Sequence, residues 1–354
     1  MKEAIYHFPT DGTPVKCEQI KSGHINETYC ITTDTGSRYI LQWINQYVFP
    51  NVNALMGNMS KISAFLAKRE KGKMAMIRYI DTLDGQNYYD DGHGGAWRIY
   101  RFVDNSICLQ RPETPDDFYE CARAFGHFQY ALNDFPAEQL EETIVNFHNT
   151  VDRYRQLREA MDADSEERLA EVGEEIAYLL SREEKACRLC RMRESGELPV
   201  RATHNDTKIN NVLLDEHTRK AICVIDLDTV MPGLSAFDFG DAIRFGASTA
   251  AEDERDLKKV ALDEELFRIF TRGFLRACPS LTEKEREVLP LGAFTMTLEC
   301  GMRFLTDYLK GDKYFSIDYA TQNLDRARAQ LALARDMEKK EHDMEFIVWE
   351  ESRA

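Results

Sequence analysis

Short segments in which apolar and polar residues alternate occupy most of the first hundred positions. β-branched and aromatic residues are enriched in these segments and glycine-containing turns separate them, which is the pattern of antiparallel strands. Residues 51–68 instead carry Val, Leu, Met and Ile at helical spacing. The order of three strands, one helix and two strands predicts a small antiparallel sheet with one helix against it. The predicted strands are residues 15–20, 28–33, 38–43, 74–80 and 96–103.

After Asp104 the pattern changes to that of amphipathic helices, rich in Glu, Arg, Ala and Leu. The most charged part, residues 162–188, is typical of a solvated helix face rather than a binding surface. The predicted helices are residues 115–132, 138–195, 262–277, 283–310 and 321–347. The strand-like segments between them are residues 199–204, 211–215 and 221–227. We therefore expect an α+β protein with a β-rich N-terminal lobe, residues 1–103, and a larger helical C-terminal lobe, residues 104–354.

Charge and cysteine content narrow the class of protein. The formal net charge of the 354 residues is -16, from 61 acidic and 45 basic side chains, so DNA and RNA are not expected partners. No window approaches 18 uninterrupted apolar residues and the N-terminal residues lack the apolar core of a signal peptide, so we expect no membrane span and no secretion. Nine scattered cysteines predict free thiols in a reducing cytoplasm. Cys187 and Cys190 form a single C-x-x-C pair inside a predicted helix, which is a weak metal signal.

The segment HNDTKINN, residues 204–211, concentrates reactive side chains in a short loop between strand-like segments. The Asp206 carboxylate can orient an attacking hydroxyl or accept its proton, and the Lys208 ammonium can meet a transferring phosphate. Asn211 ends this loop and Asp226 follows the apolar run ICVI, so the two face one another if their segments pair as a hairpin. Mg²⁺ takes a few such oxygen ligands from protein and the remainder from phosphates and water. The set predicts phosphoryl transfer from a nucleotide to an alcohol.

Each of these residues also has a structural interpretation. An isolated aspartate commonly caps a turn, and His204 is more typical of a hydrogen-bonded loop anchor than of a catalyst. The joint arrangement of Asp, Lys, Asn and a distal Asp in two adjoining β-type segments favours the chemical interpretation. His204 itself is expected to support the loop.

Two segments, HNDTKINNVLLD (204–215) and VIDLDTVMPGLSAFDFGD (224–241), resemble the Brenner-type motif of the aminoglycoside phosphotransferase and choline kinase superfamily. This resemblance implies a bilobal protein-kinase-like fold that uses ATP and Mg²⁺. It makes Asp206 the catalytic aspartate and Asn211 and Asp226 the magnesium ligands. Asp238 matches an acid that supports the catalytic loop in that superfamily.

Within the superfamily the chain is most similar to bacterial N-acetylhexosamine 1-kinases. The similarity rests on GHINETY (23–29), the NDTKINN loop, DLDTVMPG (226–233) and GMRFLTDYLKGDKYF (301–315), so it spans both lobes. It implies transfer of the γ-phosphate to the anomeric hydroxyl of N-acetylglucosamine or N-acetylgalactosamine. The residues that it makes acceptor ligands are His24, Asp228, Arg303 and Tyr314. Arg303 and Asp307 also share a helix face, so a surface i,i+4 salt bridge is the alternative interpretation of that pair.

The nucleotide side departs from the kinase pattern. Residues 22–28 join the first two strands and contain only one glycine, Gly23, so the side chains of Asn26 and Thr28 would share the phosphate cradle. Gln42 stands where the third strand of a kinase-like lobe carries lysine.

In place of this lysine, Arg38 or Lys208 would neutralise the charge of the phosphates. Phe102, Val103 and Asp104 resemble the hinge that meets adenine, with Ile40 against the base.

Two alternatives stay open at the level of sequence. The acceptor of a kinase of this type can be an aminoglycoside, choline, homoserine or another sugar, and an acidic site suits a neutral sugar and a cationic aminoglycoside equally. Gln42 and the glycine-poor loop also fit a nucleotide-binding pseudokinase or scaffold. The intact Asp206, Asn211 and Asp226 argue against that second alternative.

Overall fold

Two lobes with separate sheets make up the protein. The computed structural model describes residues 2–20, 25–69, 75–163 and 167–354. In chain order its strands are β1 (Pro14–Ile20), β2 (Glu27–Thr33), β3 (Arg38–Ile44), β4 (Ala75–Met76), β5 (Tyr89–Asp90), β6 (Ala96–Arg101), β7 (Ser106–Cys108), β8 (Arg201–Thr203), β9 (Val212–Asp215), β10 (Ala221–Val224) and β11 (Met231–Gly233).

The helices follow the same chain order. They are α1 (Val52–Arg69), α2 (Pro115–Ala131), α3 (Thr150–Ala163), α4 (Gly173–Ser181), α5 (Glu183–Ala186), α6 (Arg188–Glu194), α7 (Ser235–Gly246), α8 (Glu264–Ala277), α9 (Glu283–Glu287), α10 (Leu289–Leu309), α11 (Gln322–Lys339) and α12 (Glu341–Glu351). Among the described residues, no helix is both long and apolar enough to span a bilayer.

The first lobe is an antiparallel sheet with the spatial order β1-β2-β3-β6-β5. Inward side chains of β2, β3 and β6, among them Ile31, Leu41 and Ile99, are fully buried, whereas β1 at the edge of the sheet has no fully buried residue. The predicted helix at 51–68 is α1. The fold class expected from the sequence, a small antiparallel sheet followed by a larger helical part, is confirmed.

The prediction that residues 74–80 form a strand of the first sheet was wrong. Residue 74 lies outside the described residues, and β4 pairs in parallel with β10 of the second sheet, whose order is β4-β10-β9-β7. Only Tyr79 makes an isolated bridge to Tyr100 of the first sheet. A short apolar run carries no information on which of two sheets it will join.

The chain crosses from the first sheet to the second between Arg101 and Ser106, because β6 belongs to one and β7 to the other. This interval contains the expected boundary at 103/104, although the division into two domains stays a prediction. The predicted helix at 138–195 is instead several short helices, and residues 140–149 form irregular structure. Helix α7 was not predicted, since it is buried on all sides and shows no amphipathic stripe.

The core of the second lobe forms where helices approach closely. Helix α2 packs on α8, and Phe118, Phe125, Phe270 and Phe274 are fully buried there. Helix α7 packs on α10 in the same way. The elements that carry the catalytic loop are thereby attached to a rigid helical base.

Candidate active site

Most of the predicted site residues line one cavity of about 310 Å³ between the first sheet and the β9–β10 hairpin. These residues are Asn26, Thr28, Gln42, Phe102, Val103, Asp206, Lys208, Asn211, Asp226 and Asp228. Two further predicted residues, Gly23 and His24, lie outside the described residues. The remaining ones, Asp104, His204, Asp238, Arg303 and Tyr314, are not among the residues that line this cavity.

The hairpin brings Asn211 and Asp226 together. Strands β9 and β10 pair antiparallel with Val212 opposite Val224, as the sequence predicted. The backbone N–H of Ile225 donates to the Asn211 carbonyl at 2.9 Å. Asn211 therefore lies directly before one strand and Asp226 directly after the other, at the same end of the hairpin.

Asp206 is held as an ionised acceptor beside this end. Its Oδ1 lies 3.0 Å from Lys208 Nζ, and Asn211 Nδ2 donates to its Oδ2 at 3.0 Å and to its carbonyl at 2.8 Å. Desolvation in the cleft raises the pKa of Asp206, but Lys208 and then His204 lower it by more, so the pKa lies below its ordinary value. A carboxylate in this state can accept a proton from a hydroxyl.

Lys208 stays protonated in the same cleft. Desolvation lowers the pKa of its ammonium, but Asp206 and then Asp241 raise it by more, so the pKa lies above its ordinary value. Its charge is available to a phosphate on the open side of the cavity.

The donor set at the hairpin end fits a hard divalent cation. Desolvation raises the pKa of Asp226 most, and the like charges of Asp228 and Asp206 raise it further, to about 7. A cation beside Asp226 would relieve this excess of negative charge. Asn211 uses its amide N–H groups on Asp206, which leaves its side-chain oxygen for a metal. The described residues contain no group of three or more His, Cys, Asp or Glu side chains that could hold a metal. Asn211 and Asp226 offer two oxygen ligands, and Mg²⁺ commonly takes its other ligands from phosphates and water.

Asp238 of α7 holds the loop before Asp206. Its carboxylate is buried and accepts from the backbone N–H groups of His204 at 2.9 Å and Asn205 at 2.7 Å, and from Gln129 Nε2 at 2.6 Å. Burial is the largest influence on the pKa of Asp238 and leaves it raised. Asn205 has φ of 64°, a left-handed conformation that needs such support in a residue other than glycine.

His204 is a structural anchor by its contacts. Its Nε2 donates to the carbonyl of Ile225 at 2.9 Å, and its Nδ1 accepts from the backbone N–H of Asp206 at 3.3 Å. The ring is fully buried against Phe125. It connects the catalytic loop to the end of the hairpin and has no solvent-facing nitrogen with which to take part in chemistry.

The Arg38 guanidinium binds the hinge segment, residues 102–104. The backbone N–H of Phe102 donates to the Arg38 carbonyl at 3.0 Å, and the Arg38 guanidinium stacks 4.1 Å from the Phe102 ring and bonds Asp104. Val103 accepts from Ser106 Oγ at 2.7 Å. Arg38 therefore lies at the hinge end, which leaves Lys208 as the candidate for the phosphate charge.

Sequence reasoning missed Arg98, which lies opposite Gln42 in the β3–β6 register. Gln42 Nε2 donates to Thr28 Oγ1 at 3.2 Å, and Gln42 Oε1 accepts from Arg98 Nε at 2.9 Å. Arg98 also pairs with Asp228 at 2.7 Å. The signal in the sequence was a charged residue at an inward position of the strand AWRIYR.

Arg303 and Tyr314 lie in an aromatic group on the acceptor side. The Arg303 guanidinium is 5.2 Å from the Phe147 ring, 5.4 Å from Phe315 and 6.0 Å from Tyr314.

Asp307 forms the turn that presents these rings. The alternative Arg303–Asp307 salt bridge is not formed in the described structure. Instead Asp307 accepts from the backbone N–H groups of Lys313 and Tyr314 at 3.0 and 2.9 Å, and from that of Phe315 at 2.9 Å.

His148, also missed, ties this aromatic group to the catalytic loop. Its Nε2 bonds the Asn205 carbonyl at 2.9 Å, and its Nδ1 bonds Glu299 Oε1 at 2.9 Å. Thr150 Oγ1 donates to the other Glu299 oxygen at 2.7 Å. Burial raises the pKa of Glu299, but His148 lowers it by more, so the pKa lies below its ordinary value. His148, which follows Phe147 in the chain, thus connects Phe147 to Asn205 through a single hydrogen bond.

A bilobal fold with a nucleotide-sized cleft, a loop aspartate and a hairpin aspartate defines a small-molecule kinase. Residues 16–277 match the family described as APH, phosphotransferase enzyme family. The chain belongs to this phosphotransferase family.

Solved structures with the same fold include enzymes that act on several classes of acceptor. An aminoglycoside phosphotransferase from Alicyclobacillus acidocaldarius is similar over 98% of this chain and 96% of its own, with 13% identity and a TM-score of 0.63. A microcompartment-associated aminopropanol kinase is similar over 97% of both chains, with 18% identity and a TM-score of 0.63. A choline kinase from Cryptosporidium parvum is similar over 93% of this chain and 91% of its own, with 14% identity and a TM-score of 0.58. At these identities the comparison establishes the fold.

Proposed function

We propose that this phosphotransferase transfers the γ-phosphate of ATP to the anomeric hydroxyl of N-acetylglucosamine or N-acetylgalactosamine. The products are the sugar 1-phosphate and ADP. The proposal assigns the cavity between the lobes to ATP and the aromatic group around Arg303 to the sugar.

Phosphoryl transfer requires a base, charge neutralisation and alignment. Asp206 accepts the proton of the C1 hydroxyl while that oxygen bonds to the γ-phosphorus, and the bond from phosphorus to the bridging oxygen breaks to release ADP. Lys208 neutralises charge on the γ-phosphate. Asn211 and Asp226 would hold Mg²⁺, which supplies further neutralisation of the phosphates. Asp238 and His204 keep the loop in place through backbone hydrogen bonds.

The acceptor assignment rests on one observation, the set of contacts that the Arg303 guanidinium makes. Within the described part of the chain its guanidinium has aromatic neighbours but no hydrogen bond or ion pair. Arg153 lies close by, and burial followed by the charge of Arg303 lowers the pKa of Arg153 to about 10. Arg153 Nε is buried with no hydrogen-bond partner among the described residues.

These two guanidinium groups favour an uncharged acceptor that is rich in oxygen. The carboxylate of Glu299 also acts on Arg153, but it is already bound to His148 and Thr150. Like charges repel a cationic acceptor such as an aminoglycoside or choline. Sugar hydroxyl and acetamido oxygens would accept from the Arg303 N–H groups, and aromatic rings suit the C–H faces of a pyranose.

The test is an acceptor panel in an ATP-consumption assay with detection of the product by ³¹P–¹H correlation. N-acetylglucosamine or N-acetylgalactosamine is expected to give a phosphate coupled to the anomeric proton. Glucose, galactose, choline, homoserine and an aminoglycoside serve as competing acceptors. Turnover of a cationic acceptor with no turnover of either N-acetylhexosamine would overturn the acceptor assignment.

A blocked substrate provides the control for the site of transfer. The methyl glycoside of N-acetylglucosamine has no free anomeric hydroxyl, so it should not be phosphorylated but should compete with the free sugar. Phosphorylation of the methyl glycoside would show transfer to another hydroxyl. Binding of ATP with no turnover of any panel member would instead favour the pseudokinase alternative.

A further inference from the structure

A buried ion pair joins the two lobes behind the nucleotide cavity. Arg98 of β6 is 1% exposed and Asp228 is 2% exposed, and Arg98 Nη1 lies 2.7 Å from Asp228 Oδ1. The guanidinium also bonds Gln42 of β3 at 2.9 Å and contacts Met59 Sδ of α1 at 3.3 Å. One side chain therefore contacts two strands of the first sheet, the helix against it and the loop that follows the hairpin.

Asp228 is held by further contacts from both lobes. Asn26 Nδ2 donates to its Oδ2 at 2.6 Å, and the same Asn26 accepts from the backbone N–H of Asn45 at 3.0 Å. Thr143 Oγ1 donates to the Asp228 carbonyl at 2.9 Å. Asp228 lies two residues beyond Asp226, within the short helical turn Leu227–Thr229. Its position therefore sets the backbone course of Asp226, whose own φ of 60° is left-handed.

Gln42, which stands where the third strand of a kinase-like lobe carries lysine, is part of this network. Helix α1 contains no Asp or Glu and presents Met59 to the site, and β3 presents Gln42. A lysine at position 42 would bring a second cation against the Arg98 guanidinium in a buried setting, which is unfavourable. Gln42 avoids that repulsion, because its side-chain oxygen accepts from Arg98 and its nitrogen donates to Thr28.

We propose that Arg98 is a positioning residue of the nucleotide site, which orders the Asp226 loop through Asp228 and couples the two lobes there. Arg98 is enclosed by protein groups and acts through Asp228, whereas Lys208 meets the phosphate. The inference rests on the proposed role of Asp226 as a metal ligand.

The test uses a charge-neutral double variant, Arg98→Met with Asp228→Asn. Removing one partner leaves a buried unpaired charge and risks unfolding, whereas removing both is tolerated much better. The double variant is expected to keep its thermal midpoint near that of the parent and to bind ATP equally well in EDTA. Its Mg²⁺-dependent gain in ATP affinity and its kcat should each fall by roughly 10–100-fold.

Two comparison variants separate the possible outcomes. Arg201→Met with Glu285→Gln removes another buried arginine–carboxylate pair, at 10% and 3% side-chain exposure, and should leave the Mg²⁺ gain unchanged. Asp226→Ala should abolish that gain. If Asp226→Ala abolishes the gain while the Arg98–Asp228 double variant keeps it, the positioning role is wrong and the metal site stands. If Asp226→Ala keeps the gain, the proposed metal site fails, and the inference fails with it.

Discussion

At the scale of single residues, the pKa values of two aspartates in one cleft are shifted in opposite directions. The pKa of Asp206 is lowered because, against desolvation, Lys208 and His204 stabilise its charge, whereas desolvation and then Asp228 raise the pKa of Asp226. The same side-chain chemistry thus supplies an ionised acceptor at one position and a concentration of negative charge at the other. Their neighbours divide the tasks of proton acceptance and cation binding between them.

The first prediction concerns Asp206→Asn. The amide keeps the size of the side chain but cannot accept the proton of the hydroxyl, so kcat should fall by roughly 10²–10⁴-fold. The affinity for ATP, measured by calorimetry, should stay within a few-fold of the parent because Asp206 is not assigned to nucleotide binding. Asp162→Asn on the exposed end of α3 is the matched control and should not affect kcat. Full turnover in Asp206→Asn would remove the catalytic assignment.

Local sequence identified the residues that lie close together in the chain and missed those that arrive from elsewhere. Asp206, Lys208 and Asn211 fall within six positions, so their spacing was informative. Arg98 and His148 reach the site from segments more than fifty residues away, through Asp228 and Asn205. A buried arginine in a strand and a histidine in an irregular segment have no local pattern, so only the folded structure reveals their partners.

At the scale of elements, two glycines set the distance between α7 and α10. A Cβ added to Gly292 would collide with the carbonyl oxygen of Ala236, and one added to Gly240 would collide with the carbonyl of Gly292. Helix α7 carries Asp238 under the catalytic loop, and α10 carries Arg303 on the acceptor side. The close approach of these helices therefore fixes the position of Arg303 relative to Asp238.

The second prediction is that Gly292→Ala forces α7 and α10 apart. Overpacking of this kind should lower the free energy of unfolding by about 1–3 kcal/mol. The KM for the acceptor should rise more than the KM for ATP, because the nucleotide cavity lies on the other side of the loop. Urea unfolding and steady-state kinetics measure the two effects.

Gly57→Ala is the matched control for this helix substitution. Gly57 lies within α1, and an added Cβ would meet no atom within 4 Å. The exchange should raise the free energy of unfolding by about 0.5–1 kcal/mol, because alanine loses less backbone entropy than glycine. A neutral or stabilising effect of Gly292→Ala would contradict the proposed close approach.

Elements were predictable where one face is buried and the other is not. Strand β2 and helix α1 show that contrast, and their positions followed from the pattern, whereas β3 is buried at the successive positions Tyr39, Ile40 and Leu41. Helix α7 buries Asp238, Asp241 and Arg244 along with its apolar residues, so its polar residues do not mark a solvent face. Asp238 accepts from residues of other segments, whereas Asp241 accepts from Thr207 and from Arg244 of the same helix.

At the scale of the whole molecule, buried carboxylates paired with arginine join distant parts of the chain. Glu285 of α9 accepts from Arg201 Nε at 2.5 Å and from Arg201 Nη2 at 2.7 Å, which connects α9 to the strand before the catalytic loop. Burial raises the pKa of Glu285, but Arg201 lowers it by more, so the pKa lies below its ordinary value of 4.5. The folded state therefore favours the charged form of Glu285, and the stability of the protein depends on pH.

The third prediction follows from the sign of this shift. Because the pKa is lower in the folded state, the contribution of Glu285 is complete above the unfolded value and disappears as the pH falls through the folded value. Glu285→Gln leaves Arg201 buried without its partner, so it should lower the free energy of unfolding by about 3 kcal/mol at neutral pH. That difference from the parent should stay constant above the ordinary pKa of 4.5 and shrink as the pH falls through the lower pKa of the folded state, where the parent carboxyl is protonated as well. Urea unfolding of both proteins across this range measures it.

The same helix provides the control that separates a buried pair from a surface one. Glu287, two residues further along α9, pairs with Lys284 at 3.2 Å with both side chains about half exposed. Glu287→Gln should change the free energy of unfolding by less than about 0.5 kcal/mol at every pH, because water screens the pair. A difference for Glu285→Gln that does not shrink as the pH falls until Glu285 is protonated would show that it arises from packing rather than from the charge on Glu285. The contact between α9 and β8 would then depend on packing. Acid would in that case destabilise other parts of the protein first.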